Sequence, residues 1–542
     1  MAFGANVSIH VRVEGSDAVG DKDMDGLPSG GGGGVVVTSD AELASAISGG
    51  ETLIYVAPGT YTTSDFISGV ARTESTALTI TAQDPQNQPQ FDDVSVDVVG
   101  CAFITLKYLT FRNVSAFTDP SFFIYDGGST DPNYGCHDFH IQNCTFIGKV
   151  GFSADLNEPG EVIDYGTPMC RALRLSNNDT YNYSVTNCTF RYVYAVGDFK
   201  MNGDVDFSHN LIDIWYADGV RIVGHPEEGY IDGDRTIFYN VFLNNIAIYN
   251  ERTATSPHMD TFQGFNSGTI SNNTNPTIKN TFWWRNIFNG GPYRGNIVQA
   301  GLTQTEMINC AYVENLWLTK ASPSGHSMEF GQDAVLIQNE TLGDREFGSN
   351  PFVRVFRGRG EVKLIDSYSP AGLITGTGAN APVAGYEIET SGNVTGRDTY
   401  LTYFAGPVSQ DGEAGAIAQF TPLSSGYGAL DTNGDWVNKA HRPMAANPPE
   451  ITVGSGQFTI DTINEPTLQS GNQSSLGGDV YTQYDVRWCV DDGTFSWNET
   501  LDVSETDVIG SVTAGNIIVQ TRVRSVAGGI GFWSKRQYAT VI

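Results

Sequence analysis

The chain has 542 residues, room for two or more domains. Acidic residues outnumber basic ones 61 to 30, for a formal net charge of −31, which excludes a nucleic-acid partner because phosphate binding needs clustered Lys and Arg. Glycine is abundant at 62 residues, the composition is all-β, and no segment approaches the length of a membrane helix.

Residues 1–28 form an N-terminal arm. NVSIHVRVEG alternates apolar and polar residues, as an edge strand or a docking arm would, and no basic region precedes an apolar stretch as in a signal peptide. In Gly20–Gly26, Asp21, Asp23 and Asp25 followed by Gly26 match the start of a calcium loop. Position twelve is Gly32 rather than Glu, so a Ca2+ site and a plain solvated acidic loop both stay open. Residues 29–34 are a flexible Gly-rich linker. Thr38–Ile47 reads as a short amphipathic helix, with Ser39 and Glu42 in a capping-box pattern. Such a helix would plug the open end of a strand stack.

From there a phrase recurs in which an apolar strand meets an asparagine and a second apolar strand follows. The asparagines are Asn143, Asn187, Asn210, Asn240, Asn286, Asn315 and Asn339. Their irregular spacing, with a floor near 23 residues, is that of a solenoid with loops of variable size. Asparagine tolerates the left-handed backbone that a sharp corner needs, and stacked amides can bond one another in a ladder. Flanking Val, Ile, Phe and Cys would face a narrow interior that successive coils bury for one another. These residues imply a parallel β-helix over 35–374. Seven cysteines, an odd count with no paired spacing, do not read as a disulfide framework and fit a reducing compartment. Cys144 and Cys188 occupy the same inward place after their asparagines.

A second set of strands reads RALRL (Arg171–Leu175), DGVRI (Asp218–Ile222), DTFQG (Asp260–Gly264), NIVQA (Asn296–Ala300) and HSMEF (His326–Phe330). Its first column is Arg171, Asp218, Asp260, Asn296, His326, and its fourth is Arg174, Arg221, Gln263, Gln299, Glu329. Strict alternation would put these columns on opposite faces, so both face outward only if the backbone bends between them. The candidate catalytic residues are Asp218, Arg221, His258 and Asp260. A carboxylate pair suits glycoside hydrolysis, whereas Arg221 or His258 as base beside a neutralised uronate suits β-elimination. Candidate substrate-binding residues are Gln263, Arg294, Gln299, His326, Glu329, Trp215 and Tyr249. The plainer readings are turn-capping aspartates, a glutamine ladder and an ordinary surface histidine. One of Trp283 and Trp284 must be core.

Residues 375–446 read as an irregular β region. Residues 447–542 carry YDVRWCVDDGTFSW and IIVQTRVRSVAGGIGFWS, which resemble a fibronectin type III domain.

Glu51–Thr62, ETLIYVAPGTYT, resembles the first coil of right-handed parallel β-helix proteins of the pectate-lyase-like group. With no export signal in view, the resemblance is to the phage tailspike type. It implies a virion spike, trimeric by analogy, folded in host cytoplasm and attached to other virion proteins through the N-terminal arm. Its partner would be a host surface polysaccharide, bound and depolymerised by lyase or hydrolase chemistry. A non-enzymatic adhesin and a secreted, extracellular bacterial lyase are the alternatives. This fold hosts many activities, so the resemblance is specific for architecture alone.

Overall fold

A computed structural model describes residues 33–115, 122–127, 135–148, 170–215, 219–223, 231 and 235–245. It also describes strands and corners between 260 and 391 and strands between 450 and 541. Two compact units hold them, one within 34–439 and one within 440–542.

The larger unit is a right-handed parallel β-helix with three faces. One coil shows the pattern. Ala102–Lys107 lies on the first face, Thr110–Arg112 on the second, and Phe122–Tyr125 on the third. The chain then returns to the first face as His137–Gln142, one rung on. Register is parallel throughout, for example Ile104 beside Phe139, Tyr183 and Val205. Alternate residues point inward, where each coil buries the apolar side of the next. On the second face Tyr61, Phe91, Phe111, Phe146 and Phe190 stack with ring centroids 5.0–5.2 Å apart. Each is buried, which stabilises the stack by about 1.5–3 kcal/mol per ring before ring–ring geometry is counted.

The corner between first and second faces has two residues, and asparagine serves in both positions. Tyr108, Asn143, Asn187, His209, Tyr239 and Arg285 adopt the left-handed conformation, with φ between 50° and 55°. The residue after each points inward: Leu109, Cys144, Cys188, Asn210, Asn240 and Asn286, continued by Asn315. The recurring asparagine is therefore two columns, not one. Asn143 and Asn187 are outward turn residues, whereas Asn210, Asn240, Asn286 and Asn315 are fully interior. The expected ladder forms only in the second group. Each amide donates to the next Oδ1 at 2.9–3.0 Å and to a carbonyl of the preceding coil at 2.7–2.9 Å. Asn315 in turn donates to the Trp283 carbonyl at 3.0 Å, and Asn339 lies outside the described residues.

The helix forms at Asp40–Ser48, and Leu43, Ala46 and Ile47 join the coil core beside Val37 and Ile54. Ser39 Oγ accepts from Glu42 N, as the cap pattern requires. The reciprocal bonds differ: the Glu42 carboxylate accepts from Thr38 N and Thr38 Oγ1, one residue earlier than the box predicts. Those bonds hold its carboxyl below the usual range.

The smaller unit is antiparallel. Glu450–Gly454, Gln457–Thr462 and Val508–Ser511 form one sheet; Asn498–Val503, Tyr481–Val490, Gly515–Ser525 and Gln537–Val541 form another. Phe458, Ile460, Val486, Val503, Ile517, Val519 and Val541 make a single core.

Candidate functional site

The third face places a polar column in register along the helix. Its rungs are Asp97, Tyr125, Arg174, Asp198, Arg221, Gln263, Gln299, Glu329 and Arg354. Neighbouring rungs in such a sheet lie about 4.8 Å apart. The inward neighbours are Val96, Ile124, Leu173, Gly197 and Val220. The column is thus fixed by strand pairing rather than by loops.

The bend between first and fourth columns exists at two coils. In Phe122–Tyr125 and Arg171–Leu175 the two middle residues are both buried while the outer positions stay partly exposed. Arg171 and Arg174 therefore face outward together. Phe122 and Tyr125 do the same one rung below.

Between Arg174 and Arg221 the structure inserts a strand absent from the sequence columns, Gly197–Lys200. Gly197 packs so tightly on the preceding coil that any Cβ would collide with the Leu173 carbonyl oxygen. That close approach brings Asp198 onto the column. Its side chain is 9% exposed, and both oxygens accept from Arg221, Nε to Oδ1 at 2.5 Å and Nη2 to Oδ2 at 2.5 Å. Arg171 Nη1 stands 3.9 Å from Asp198 Oδ2. The Arg171 guanidinium lies 5.8 Å from the Phe122 ring centre and 5.4 Å from that of Tyr194, and Arg174 lies 5.6 Å from Phe122. Among the described residues, three guanidiniums and one carboxylate thus share a small aromatic-walled area.

The chemistry of this group is cationic. A bidentate carboxylate holds a guanidinium charged and oriented, the opposite of what a general base requires. Arg221 is suited to binding and charge neutralisation.

Behind the column the interior is also charged. Lys200, two residues after Asp198, is buried, and burial pulls its ammonium down to about 8 against an opposing Asp126. Asp126 Oδ2 accepts from Asn177 N at 2.6 Å and from Thr180 Oγ1 at 2.8 Å. The Tyr183 hydroxyl donates to the Lys200 carbonyl at 2.7 Å.

One expected substrate contact is corrected. Trp215 is 1% exposed and packs edge-on against Phe242 inside the coil, where a sugar cannot reach it. Trp283 and Trp284 are both buried as well. Gln263, Gln299 and Glu329 share the Arg221 column, and Asp260 pairs with Asn296, all by backbone register. Asp218, Tyr249, His258, Arg294 and His326, and the acidic loop of Asp21, Asp23 and Asp25, lie outside the described residues. Asp198, Arg171 and Arg174 complete the described group; only Asp198 went wholly unmarked in the sequence. Among the described residues no cluster of His, Cys, Asp and Glu could hold a metal ion.

No family model and no curated protein matches this chain. Solved structures similar to it include an alginate lyase from Paenibacillus sp. str. FPU-7, 12% identical, covering 67% of this chain and 99% of that one, with a TM-score of 0.28. A GH87 α-1,3-glucanase catalytic domain in complex with nigerose is 10% identical over 67% of this chain and 65% of its own, TM-score 0.35. A tailspike protein of E. coli bacteriophage HK620 in complex with a pentasaccharide is 13% identical over 66% of this chain and 62% of its own, TM-score 0.33.

Proposed function

We propose that this protein is a spike of the phage tailspike type that binds a surface polysaccharide lengthwise along the third face and cleaves it. The observation that carries this reading is the polar column, nine rungs in register by backbone pairing, with arginines and aromatic rings at its described centre. A regular row of donors and acceptors suits a repeating polymer better than a compact ligand. Cleavage is assigned to the rungs beside Arg221. Asp218 stands two residues before Val220 and Asp260 two before Phe262, and Val220 pairs with Phe262. We assign them, on sequence position alone, as the carboxylate pair of a retaining glycoside hydrolase. A lyase would instead use Arg221 to neutralise a substrate carboxylate and His258 as base.

In the same proposal the C-terminal unit is a fibronectin type III-like sandwich, and the arm of residues 1–28 docks the spike to a virion. Asp21, Asp23 and Asp25 take Ca2+, and the spike is a homotrimer. Incubation with host capsular polysaccharide tests the activity. New reducing ends mark a hydrolase, and ultraviolet absorbance from an unsaturated uronate marks a lyase. Retention of the polysaccharide with no product favours the non-enzymatic adhesin. One observation supports that rival: Asp198, the carboxylate beside Arg221 on the column, is already committed to it.

A further inference from the structure

The first face carries a group of reactive side chains outside the polar column. In His137–Gln142 and Tyr181–Thr186 the left-handed residues Asp138 and Asn182, at φ 49° and 50°, break the alternation near the start of each strand. His137, Asp138, His140 and Gln142 therefore all stay partly exposed, while Phe139 and Ile141 are buried. Tyr181, Asn182, Ser184 and Thr186 do the same one rung on, around buried Tyr183 and Val185. Register sets Ser184 beside His140, and His140 Nδ1 lies 2.9 Å from Ser184 Oγ. Among the described residues that is the only hydrogen bond of either side chain. Burial pulls the His140 imidazole below its usual pKa; Asp138 opposes that pull and the Lys107 charge adds to it. A neutral imidazole with its hydrogen on Nε2 keeps Nδ1 as an acceptor, so the hydroxyl donates to it. A hydroxyl donating to a neutral base is the resting arrangement of an activated nucleophile. Three residues earlier, about 10 Å along the strand, His137 lies flat on Tyr181 with ring centres 4.8 Å apart and edge-on to Phe103 at 5.6 Å. Asp138 Oδ2 accepts from His137 Nδ1 at 2.8 Å and so fixes that ring.

We propose that Ser184 and His140 form an acyl-ester hydrolase site on the first face, with Ser184 Oγ as nucleophile and His140 Nδ1 as base. The site is independent of the third face and its polysaccharide. Ser184 Oγ attacks the ester carbonyl carbon and forms a C–O bond while its proton passes to His140 Nδ1. The tetrahedral intermediate expels the alcohol oxygen, which takes that proton, and the acyl group stays on Ser184. Water then attacks the acyl-serine with the same base, releasing a carboxylic acid and restoring the hydroxyl. One ester and one water thus give one alcohol and one acid. Lys107 pairs with Gln142 one rung below, and its charge already bears on His140. It is the cation placed to oppose the negative charge that develops on the carbonyl oxygen. Asp206 stands on the rung across Ser184 from His140. The Phe103, His137 and Tyr181 rings supply an apolar wall for the substrate.

The test uses the full chain and a fluorophosphonate probe, read by intact-mass and peptide mass spectrometry. Attack by Ser184 Oγ forms a P–O bond and expels fluoride. The expected result is one adduct per chain on the peptide that holds Ser184, together with p-nitrophenyl acetate hydrolysis that the adduct blocks. Ser184→Ala should abolish both. His140→Gln can still hydrogen-bond Ser184 but cannot take its proton. It should slow labelling and hydrolysis by about 100-fold or more, as loss of a general base implies. A merely structural bond between the rungs would tolerate that glutamine. Thr186→Ala, on the same face of the same strand, should leave both rates unchanged. Labelling the native chain requires no variant to fold, so the absence of an adduct on Ser184 overturns the site outright. Native-rate labelling in His140→Gln, or ester hydrolysis that persists in Ser184→Ala, overturns it as well. Polysaccharide retention and cleavage are measured separately, so the two readings fail independently.

Discussion

Replacing Asn240 by alanine should test the corner directly, because the four hydrogen bonds of its side chain are all interior. Its Nδ2 donates to the Phe207 carbonyl at 2.8 Å and to Asn286 Oδ1 at 2.9 Å. Its Oδ1 accepts from Asn210 N at 3.1 Å and Asn210 Nδ2 at 2.9 Å. Alanine strands two buried N–H donors of Asn210. Asn286 Oδ1 keeps one partner, the Asn240 backbone N–H at 3.0 Å. A stranded buried donor costs about 1–3 kcal/mol, so the sum is about 4 kcal/mol before the small cavity is counted. Asn143→Ala is the control. Asn143 sits at φ 55° one column outward, so alanine there costs about 1 kcal/mol of left-handed strain and Asn143→Gly costs almost nothing. Urea unfolding followed by circular dichroism gives the totals, and amide exchange at Asn210 gives the local effect. The reasoning is refuted if Asn240→Ala costs less than about 1 kcal/mol, or no more than Asn143→Ala.

Lys200 carries a pH signature. Its folded pKa, about 8, lies below the ordinary 10.5, so the folded state sheds the proton first. Stability therefore rises as pH climbs from 8 to 10.5, by about 3 kcal/mol from this group. Lys200→Met should lack that rise, so the stability difference between native protein and variant should grow across the window; an unchanged difference would show that Lys200 is not desolvated. The Asp198–Arg221 pair should show a coupling of about 2 kcal/mol in a double-mutant cycle with Asp198→Asn and Arg221→Gln. A coupling below about 0.5 kcal/mol would remove the pairing. The cysteines should be inert in the folded protein: burial pushes the Cys101 thiol up to about 12 and those of Cys136 and Cys188 well above their usual value. Maleimide at pH 8 should label Cys101, Cys136 and Cys188 only as fast as the protein unfolds, and rapid native labelling would contradict their burial.

The repeat was legible because its cause is local. Apolar residues on either side of a corner recur whenever a coil must bury them. The two asparagine columns were harder to separate, since both the left-handed turn and the ladder select the same residue. The distance to the next inward ring distinguishes them. Phe146 follows Asn143 by three residues and Phe190 follows Asn187 by three, whereas Phe242 and Phe288 follow Asn240 and Asn286 by two. A residue three positions before the ring turns the corner; one two positions before it enters the core. Trp215 escaped the same logic because Tyr192, at φ 53°, breaks the alternation one coil below, and Trp215 pairs with the inward Val193 instead of standing outward.

The missing rung at Asp198 follows from coil counting rather than from any motif. Each first-face strand must be reached from a third-face strand in a parallel helix. Val205–Ser208 begins a coil, so some strand between Val193 and Val205 has to cross the third face. Gly197–Lys200 is the segment available, four residues with no β-branched side chain, too short and too polar to announce itself by pattern. Skipping it joined Arg174 to Arg221 as neighbours and left the column entirely cationic there. Restoring it puts the carboxylate between them and changes the chemistry of Arg221 from candidate base to braced cation. The same restoration leaves Arg171 and Arg174 as the outward positive pair of the coil below. The strand with the weakest sequence signal therefore decides that Arg221 is a paired cation rather than a base.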